Sequence, residues 1–275
     1  MLELMLPPLV ACMVIVAMHS YLGLHVIARE VIFVDLALAQ MAALGSTVGI
    51  LAGVHPESPW SLAYALAFTT VGAAVFAMTR THGSEHSRVP HEAIIGIVFV
   101  VASAAGILVA NQTPRGGDAI KDVLVGSLLW VTWPVIGRMA VVYFLIGIFH
   151  YLLRHRFLTI SFKPDQADAN GWRIRWWDFW FYLSFGLVIT FSVPVTGVLL
   201  VFSFLVVPAA IAFLFTENLR RLPIIAWGTG LFASASGIAL SFQYDLPTGP
   251  LIVVMFGLLL LVAFVVKRVF TPRSS

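Results

Sequence analysis

The sequence predicts an all-α integral membrane protein, a polytopic helical bundle of about eight or nine transmembrane helices. Three observations carry this. Hydrophobic residues make up 60% of the chain, charged residues 11%, and mean hydropathy is +0.97; ordinary soluble domains are roughly 45–50% apolar and about 25% charged. The charges fall in short islands between long apolar runs, as loops between spans do. The runs are continuous, whereas a membrane β-barrel alternates polar and apolar residues.

Taken in order, the predicted spans lie at about 5–27, 31–53, 60–79, 92–111, 134–153, 177–194, 197–215, 223–243 and 250–266. Each approaches the roughly 20 residues that a bilayer requires. The first run opens MLELMLPPLV, without a positive n-region, so it reads as a span and not as a cleaved signal. The short apolar piece at about 123–133 is too brief to cross and is expected to be re-entrant or a stub packed inside the protein. The pair at 177–194 and 197–215 is broken at Ser192-Val193-Pro194. The longest loop, about 154–176, contains KPDQADANGW and reads as a solvated connector. The whole of 1–275 reads as one transmembrane domain.

Basic residues orient the bundle. With the tail of Lys267, Arg268 and Arg273 in the cytoplasm, nine spans also place Arg29, Arg80, Arg88, Arg154, Arg156, Lys163, Arg173, Arg175, Arg220 and Arg221 inside. Only Arg115, Lys121 and Arg138 fall outside, an asymmetry that supports this orientation over its inverse. Trp172, Trp176, Trp177 and Trp180 bracket the start of the sixth span, as interfacial aromatics do. The net charge of +3 is too small to argue for nucleic acid, and the single cysteine, Cys12, excludes an internal disulfide.

The second span, REVIFVDLALAQMAALGSTVGILAG, carries most of the chemistry. Asp35 is an acid inside a spanning helix, which is expensive and calls for a reason. Gln40 lies roughly 140° further round the helix. Carboxylate and amide oxygens suit hard or borderline cations. The alternative for Asp35 is a structural pairing with Arg29 or a backbone donor; for Gln40 it is a cross-link between helices. Gly45, Gly49 and Gly53 recur every fourth residue and are expected to let another helix approach closely. His91 and Glu92 open the fourth span, either as metal contacts or as a helix-start pair complementing the dipole. His82 and His86, with Glu85 between them, fit chelation if their loop is helical and an ordinary solvated loop otherwise. His19 is expected to hydrogen-bond a neighbouring helix, and Cys12 to be a small core residue.

The segment Gly197–Leu222 is an apolar run with Pro208, which permits a kink, and it then exits into Thr216-Glu217-Asn218-Leu219-Arg220-Arg221. That exit reads as a short surface helix that another protein could grip, or as a plain positive-inside turn. Asp245-Leu246-Pro247-Thr248-Gly249-Pro250 reads as a rigid turn at the outside.

These pieces, in order and almost end to end, resemble the membrane-spanning permease subunits of metal-ion ABC transporters, the group importing zinc, manganese or iron. The matching stretches are Arg29 with the Asp35 helix and its glycines, HEAIIGIVF, VLVGSLLWVT, TGVLLVFSFLVVPAAIA and DLPTGP. The resemblance implies a homodimer in a bacterial-type cytoplasmic membrane, with the translocation path between two copies. It implies an extracytoplasmic metal-binding protein as donor and two cytoplasmic ATP-binding subunits as motor. Those subunits grip the segment of about 208–222, which here includes Pro208, Thr216, Glu217, Arg220 and Arg221. The cargo is a divalent metal, with no covalently bound cofactor. The ligand set that follows is Asp35, Gln40, His91 and Glu92. One departure concerns the metal: the family usually places a histidine four residues after the acid matching Asp35, and this chain has Ala39 there, followed by Gln40. Losing an imidazole weakens the case for zinc, which favours nitrogen and sulfur.

No G-x-x-x-x-G-K-[ST] phosphate loop occurs, so the chain is not its own ATPase and is expected to be a transport subunit, not an enzyme. The rival reading is a stand-alone ion-coupled secondary transporter, which needs no ATPase. An intramembrane hydrolase is disfavoured, because no paired acids and no serine–histidine pairing stand out.

Overall fold

In the computed structural model the structure describes residues 2–56, 58–80, 89–113 and 125–270. His82, Glu85, His86, Arg88, Arg115, Lys121 and Arg273 lie outside them. The described elements are helical: α1 Leu2–Ala28, α2 Val34–Leu51, α3 Pro59–Thr79, α4 His91–Ala110, a 3₁₀ turn Leu128–Trp130, α5 Trp133–Leu152, α6 Arg154–Phe162, α7 Pro164–Ala169, α8 Ile174–Phe215, α9 Leu222–Tyr244 and α10 Thr248–Phe270. Eight of these are long and apolar enough to cross a membrane: α1 to α5 and α8 to α10.

Local chemistry sets the boundaries. Prolines stand at the first turns of α3, α5, α7 and α9, where a missing N–H is tolerated. Ser58 caps α3 by accepting the N–H of Trp60. α1 ends in a Schellman turn: Val31 N–H bonds Val26 C=O, Glu30 N–H bonds Ile27 C=O, and Glu30 takes φ 57°. α2 ends the same way, with Val54 bonding Gly49 C=O, Gly53 bonding Ile50 C=O, and Gly53 at φ 87°. Gly53 thus corrects the expectation of a three-glycine packing ladder. It stops the helix, and a side chain there would meet nothing within 4 Å.

The other two glycines do face a helix. A Cβ on Gly45 would come within 2.5 Å of the Tyr64 carbonyl oxygen, and one on Gly49 within 3.2 Å of the Tyr64 ring. On the facing helix, a Cβ on Gly72 would lie 3.1 Å from Leu38. α2, α3 and α4 therefore form one packed group. α1 packs with α5 and α9, and α10 packs with α9. α8 joins the two groups, touching α1, α2, α3, α5, α9 and α10.

α8 contains 42 residues. At about 1.5 Å per residue it would measure about 63 Å if straight, twice a hydrocarbon core of about 30 Å. It is not straight: Gly197 sits at φ 74°, ψ 161°, outside helical geometry. Its neighbours give the direction of each limb. Along the first limb, Asp178 meets Arg29, Phe181 meets His25 and Ser192 meets His19, so the limb runs antiparallel to α1. After Gly197 the chain comes back. Leu205 and Ala209 pack on Gly23, and Ala209 and Ala212 share a buried cluster with Leu24. Phe213 reaches Phe162, whose ring also meets His25. The element is a helical hairpin, so its two limbs are the predicted sixth and seventh spans. The turn falls at Gly197 and not at Pro194, which stays helical.

The 123–133 piece packs into this turn at its described part. Ser127 N–H bonds Val195 C=O, and Gly126 lies so close to Thr196 and Gly197 that any side chain would collide with their backbone. The 154–176 loop differs from the expected solvated connector. α6 buries Phe157, Ile160 and Ser161 beneath the bundle, with the Phe157 ring stacked on His150.

By these helix directions, Arg29, Arg80, the arginines of 154–175, Arg220, Arg221 and Lys267 share one end of the bundle, the end that the basic residues assign to the cytoplasm. There Asp178, fully buried, accepts from Arg29 at 2.7 Å and from Arg80 at 2.8 and 2.9 Å. Arg29 also donates to Ser161 at 2.7 Å and lies 3.9 Å over the Phe181 ring. Three buried histidines each meet a serine: His19 with Ser192, His25 with Ser161 and His150 with Ser184. His19 thus makes the expected bond to a neighbouring helix, while the partners of His25 and His150 left no signal in residue spacing. Among the described hydrogen bonds no carboxylate orients any of them, so they cross-link helices and form no hydrolytic triad. Cys12 is a buried free thiol in the core.

Two predictions follow from the packing. Gly45→Val overfills the α2–α3 contact and is expected to cost about 1–3 kcal/mol; Gly257→Ala, which meets nothing within 4 Å, should leave thermal unfolding in detergent unchanged. Asp178→Asn strands two arginines on a neutral amide. Breaking a buried pair costs about 3–5 kcal/mol, so the melting midpoint should fall well below that of Glu217→Gln, an exposed control.

Candidate cation site at the start of α2

The Schellman turn after α1 delivers the chain into α2 with Phe33 as its N-cap residue, and no side chain of its own caps it. The cap comes from another helix: Glu92, in the first turn of α4, accepts the Phe33 N–H on Oε1 at 2.9 Å. This is a sound use of a carboxylate, since helix N-termini carry unpaired N–H groups and partial positive charge. The bond also brings Glu92 beside the first turn of α2, where Asp35 lies two residues beyond Phe33.

Asp35 is 1% exposed, and neither of its carboxylate oxygens has a hydrogen-bond partner among the described residues. The second oxygen of Glu92 is buried and unpartnered as well. The structural alternative for Asp35, pairing with Arg29, does not occur; Arg29 is spent on Asp178 and Ser161. Buried carboxylates without a partner are strongly unfavourable in a low-dielectric interior. The two acids therefore form an under-coordinated pair of carboxyl groups at the junction of α2 and α4.

His91 precedes Glu92 and rests against α8, with its Nε2 3.5 Å from the Tyr182 hydroxyl. Gln40 does not converge with these groups. It is half-buried, about 7.5 Å further along α2 and about 140° round from Asp35. Ala39, one turn above Asp35 on the same face, is buried at 1% exposure. No three His, Cys, Asp or Glu side chains among the described residues are placed to hold a metal together. One copy of the chain thus brings together Asp35 and Glu92, with His91 alongside, and leaves Gln40 apart.

At the cytoplasmic end, Pro208 is buried within α8 and does not belong to the exposed exit. Thr216 to Arg221 form a turn, which corrects the expected short surface helix. The reason is local. The Thr216 hydroxyl accepts the Asn218 N–H, and the Asn218 side chain accepts the Arg220 N–H. Such bonds compete with helical ones. Pro223 then restarts a helix as α9. Glu217, Arg220 and Arg221 are exposed, and so is Leu219. The flanks of the turn are anchored: Phe213, Leu222 and Ile225 pack with Leu24 and Ile27 at the end of α1. Outside, Asp245 ends α9 at φ 52°, and Ser241 ties the turn by bonding Leu246 C=O and the Thr248 hydroxyl.

Sequence reasoning missed Asp178, which sits just inside the first limb of α8 among interfacial tryptophans. Its one signal was an acid at the second position of a predicted span. Its partners, 98 and 149 residues away, left no trace in spacing.

The chain is similar to known proteins. The manganese transport system membrane protein MntC of Listeria innocua is 28% identical over 213 residues, covering 74% of this chain and 73% of that one. A protein of Haemophilus influenzae named "probable iron transport system membrane protein" is 26% identical over 224 residues, covering 82% and 77%. Among solved structures, PsaBC from Streptococcus pneumoniae in complex with Fab matches with a TM-score of 0.77 at 20% identity, covering 94% of this chain and 90% of that one. Residues 1–267 match the ABC 3 transport family, and the chain belongs to that family.

Proposed function

We propose that this protein is the membrane permease of an ABC transporter that carries a divalent transition-metal ion across the bacterial cytoplasmic membrane. Family membership removes the stand-alone secondary transporter as a reading. The observation that carries the choice of cargo is Asp35, a buried carboxylate with no partner for either oxygen. A passing cation supplies the missing charge. One chain offers too few ligands to hold it, and two copies double them: Asp35 from each, with Glu92 and His91 beside it and Gln40 further along the path. Few, weak contacts suit transit, because a tight site would not let its ion go.

The donors within reach are mostly oxygen, and Ala39 contributes none. Oxygen ligands suit manganese or ferrous iron more than zinc. The names of the manganese and iron relatives agree with this. The whole of 1–275 acts as one transmembrane unit. Separate cytoplasmic ATP-binding subunits hydrolyse ATP and press on the Thr216–Arg221 turn. An extracytoplasmic metal-binding protein delivers the ion to the outer loops, including Asp245–Pro250. Movement at the turn reaches the site through the cluster of Phe213, Leu222, Leu24 and Ile27, then Arg29 and the start of α2. Pro208, buried in the limb above the turn, shapes that limb and is not itself gripped.

Uptake in cells lacking their own metal importers, with manganese, iron and zinc in competition, tests the cargo. Asp35→Asn should lower uptake about tenfold or more, equivalent to about 1.4 kcal/mol. Unchanged metal-dependent uptake in that variant would sink the role of Asp35. The turn is tested separately by reversing its charges: Arg220→Glu with Arg221→Glu should reduce co-purification of the ATP-binding subunits several-fold without loss of folded permease. Full recovery of the complex would place the grip elsewhere.

A further inference from the structure

A half-open cavity of about 380 Å³ is formed by one copy of the chain, between α2, α3 and the outer turn of α8. On α2 its wall is Ala39, Ala42, Ala43, Ser46, Thr47 and Ile50. These positions are spaced by three and four residues, so they form one continuous helical face. Asp35 is the next position down that same face. The opposite wall includes Ser61 and Thr190, and the far end reaches Pro56, Ser127 and Pro194. By the helix directions these last residues lie at the outer end of the bundle. The cavity therefore extends from the outer end to Ala39, and Asp35, which does not itself line it, lies buried one turn further down the same face.

Its lining has a definite chemistry. Alanine, proline, valine and isoleucine make up much of the wall, hydroxyls come from Ser46, Thr47, Ser61, Ser127 and Thr190, and among the described residues no charged, histidine or cysteine side chain lines it. Thr47 donates its proton to Ala43 C=O and Thr190 to Gly186 C=O, both at 2.8 Å. A hydroxyl committed in that way still accepts through its oxygen. Acceptors are what the outward-pointing protons of a hydrated cation need. At about 30 Å³ per water, an ion with six waters occupies roughly 200 Å³, so the space holds one. With no fixed ligand, the ion keeps its waters here and exchanges them for carboxylate only at Asp35.

We infer that this cavity is an aqueous vestibule within each copy of the chain, which admits a hydrated divalent cation from the outside and delivers it to Asp35. The inference rests on the proposed transport function and adds that the outer half of the path runs through the protomer and not only between two protomers.

Thiol accessibility in the assembled transporter, reconstituted with its ATP-binding subunits, tests this. The only native cysteine, Cys12, is buried at 0% exposure, so the parent protein serves as the blank. Ser46→Cys and Ser61→Cys line the cavity; Val254→Cys, on the apolar exposed face of α10, is the lipid-facing control. A membrane-impermeant cationic thiol reagent, applied with and without ATP, should label the first two about tenfold or more faster than the control, because thiolate forms where water reaches. Manganese chloride should slow that labelling. Cavity thiols that label no faster than the control in either state overturn the vestibule, and so does fast labelling that manganese leaves unaltered.

Asp35→Asn combined with Ser46→Cys separates the two readings. Lost manganese protection with retained reactivity supports both. Retained protection supports the vestibule and removes Asp35 as the site it feeds. As a second arm, Ser46→Leu should cut uptake about tenfold by filling the path while Ser46→Thr does not; equal uptake in both variants overturns the inference.

Discussion

The carboxylate of Asp178 holds two arginines inside the cytoplasmic end of the bundle, and much of the rest follows from that arrangement. Charges in such a place persist only when paired and hydrogen-bonded. Arg29 closes α1, Arg80 closes α3, and Asp178 opens the first limb of α8, so one acid ties three helices. Ser161 brings α6 into the same knot through Arg29 and His25. The consequence for the site is indirect and decisive. With Arg29 committed to Asp178, no guanidinium is left to neutralise Asp35 six residues later. Among the described residues two aspartates are buried in the fold, one accepting from two arginines and the other from no side chain. On the proposed function, that contrast separates a structural carboxylate from one left available for cargo.

Glycine geometry places the second acid. The reversal at Gly197 lets α8 run back beside itself, so one element reaches α1, α2 and α3 with its first limb and α9 and α10 as well. Gly45 and Gly49 let α3 approach one side of α2 closely. The end of α2 is fixed at Gly53, and its beginning is fixed by Glu92 bonding the Phe33 N–H. A helix clamped at both ends and along one side keeps Asp35 at a defined depth, which the proposed transit site would need.

Hydropathy made the spans legible, because crossing a bilayer imposes length and apolarity on each segment separately. Asp35 was legible for the same reason, as the exception in such a segment. Even the sixth and seventh spans were separable, although the break lies at Gly197 and not around Pro194; a proline announces a kink from sequence, while a glycine's left-handed φ does not. What depends on distant partners was not legible. The Arg80–Asp178–Arg29 knot and the three serine–histidine pairs join residues far apart in the chain. Gly53 looked like a packing glycine because spacing cannot distinguish a contact from a stop. The Thr216–Arg221 turn looked helical because two side-chain-to-backbone bonds, from Thr216 and Asn218, decide against the helix.

The faces of α2 explain why one helix can both pack and line a path. Positions 45 and 49 point toward Tyr64, while positions 35, 39, 42, 43, 46, 47 and 50 form a neighbouring stripe, about 100° away from Gly45 at Ser46. Small residues serve each face for a different reason: glycine removes a side chain so that a backbone can come near, and alanine or serine leaves space that nothing fills. Ala39 belongs to the second kind. A histidine there would occupy the turn above Asp35 and offer a nitrogen ligand; on the proposed function, alanine leaves room for the water that the cation carries with it. On the proposed function, the absence of an imidazole at that position and the cavity above the acid are one feature, a path that would handle its cation through oxygen.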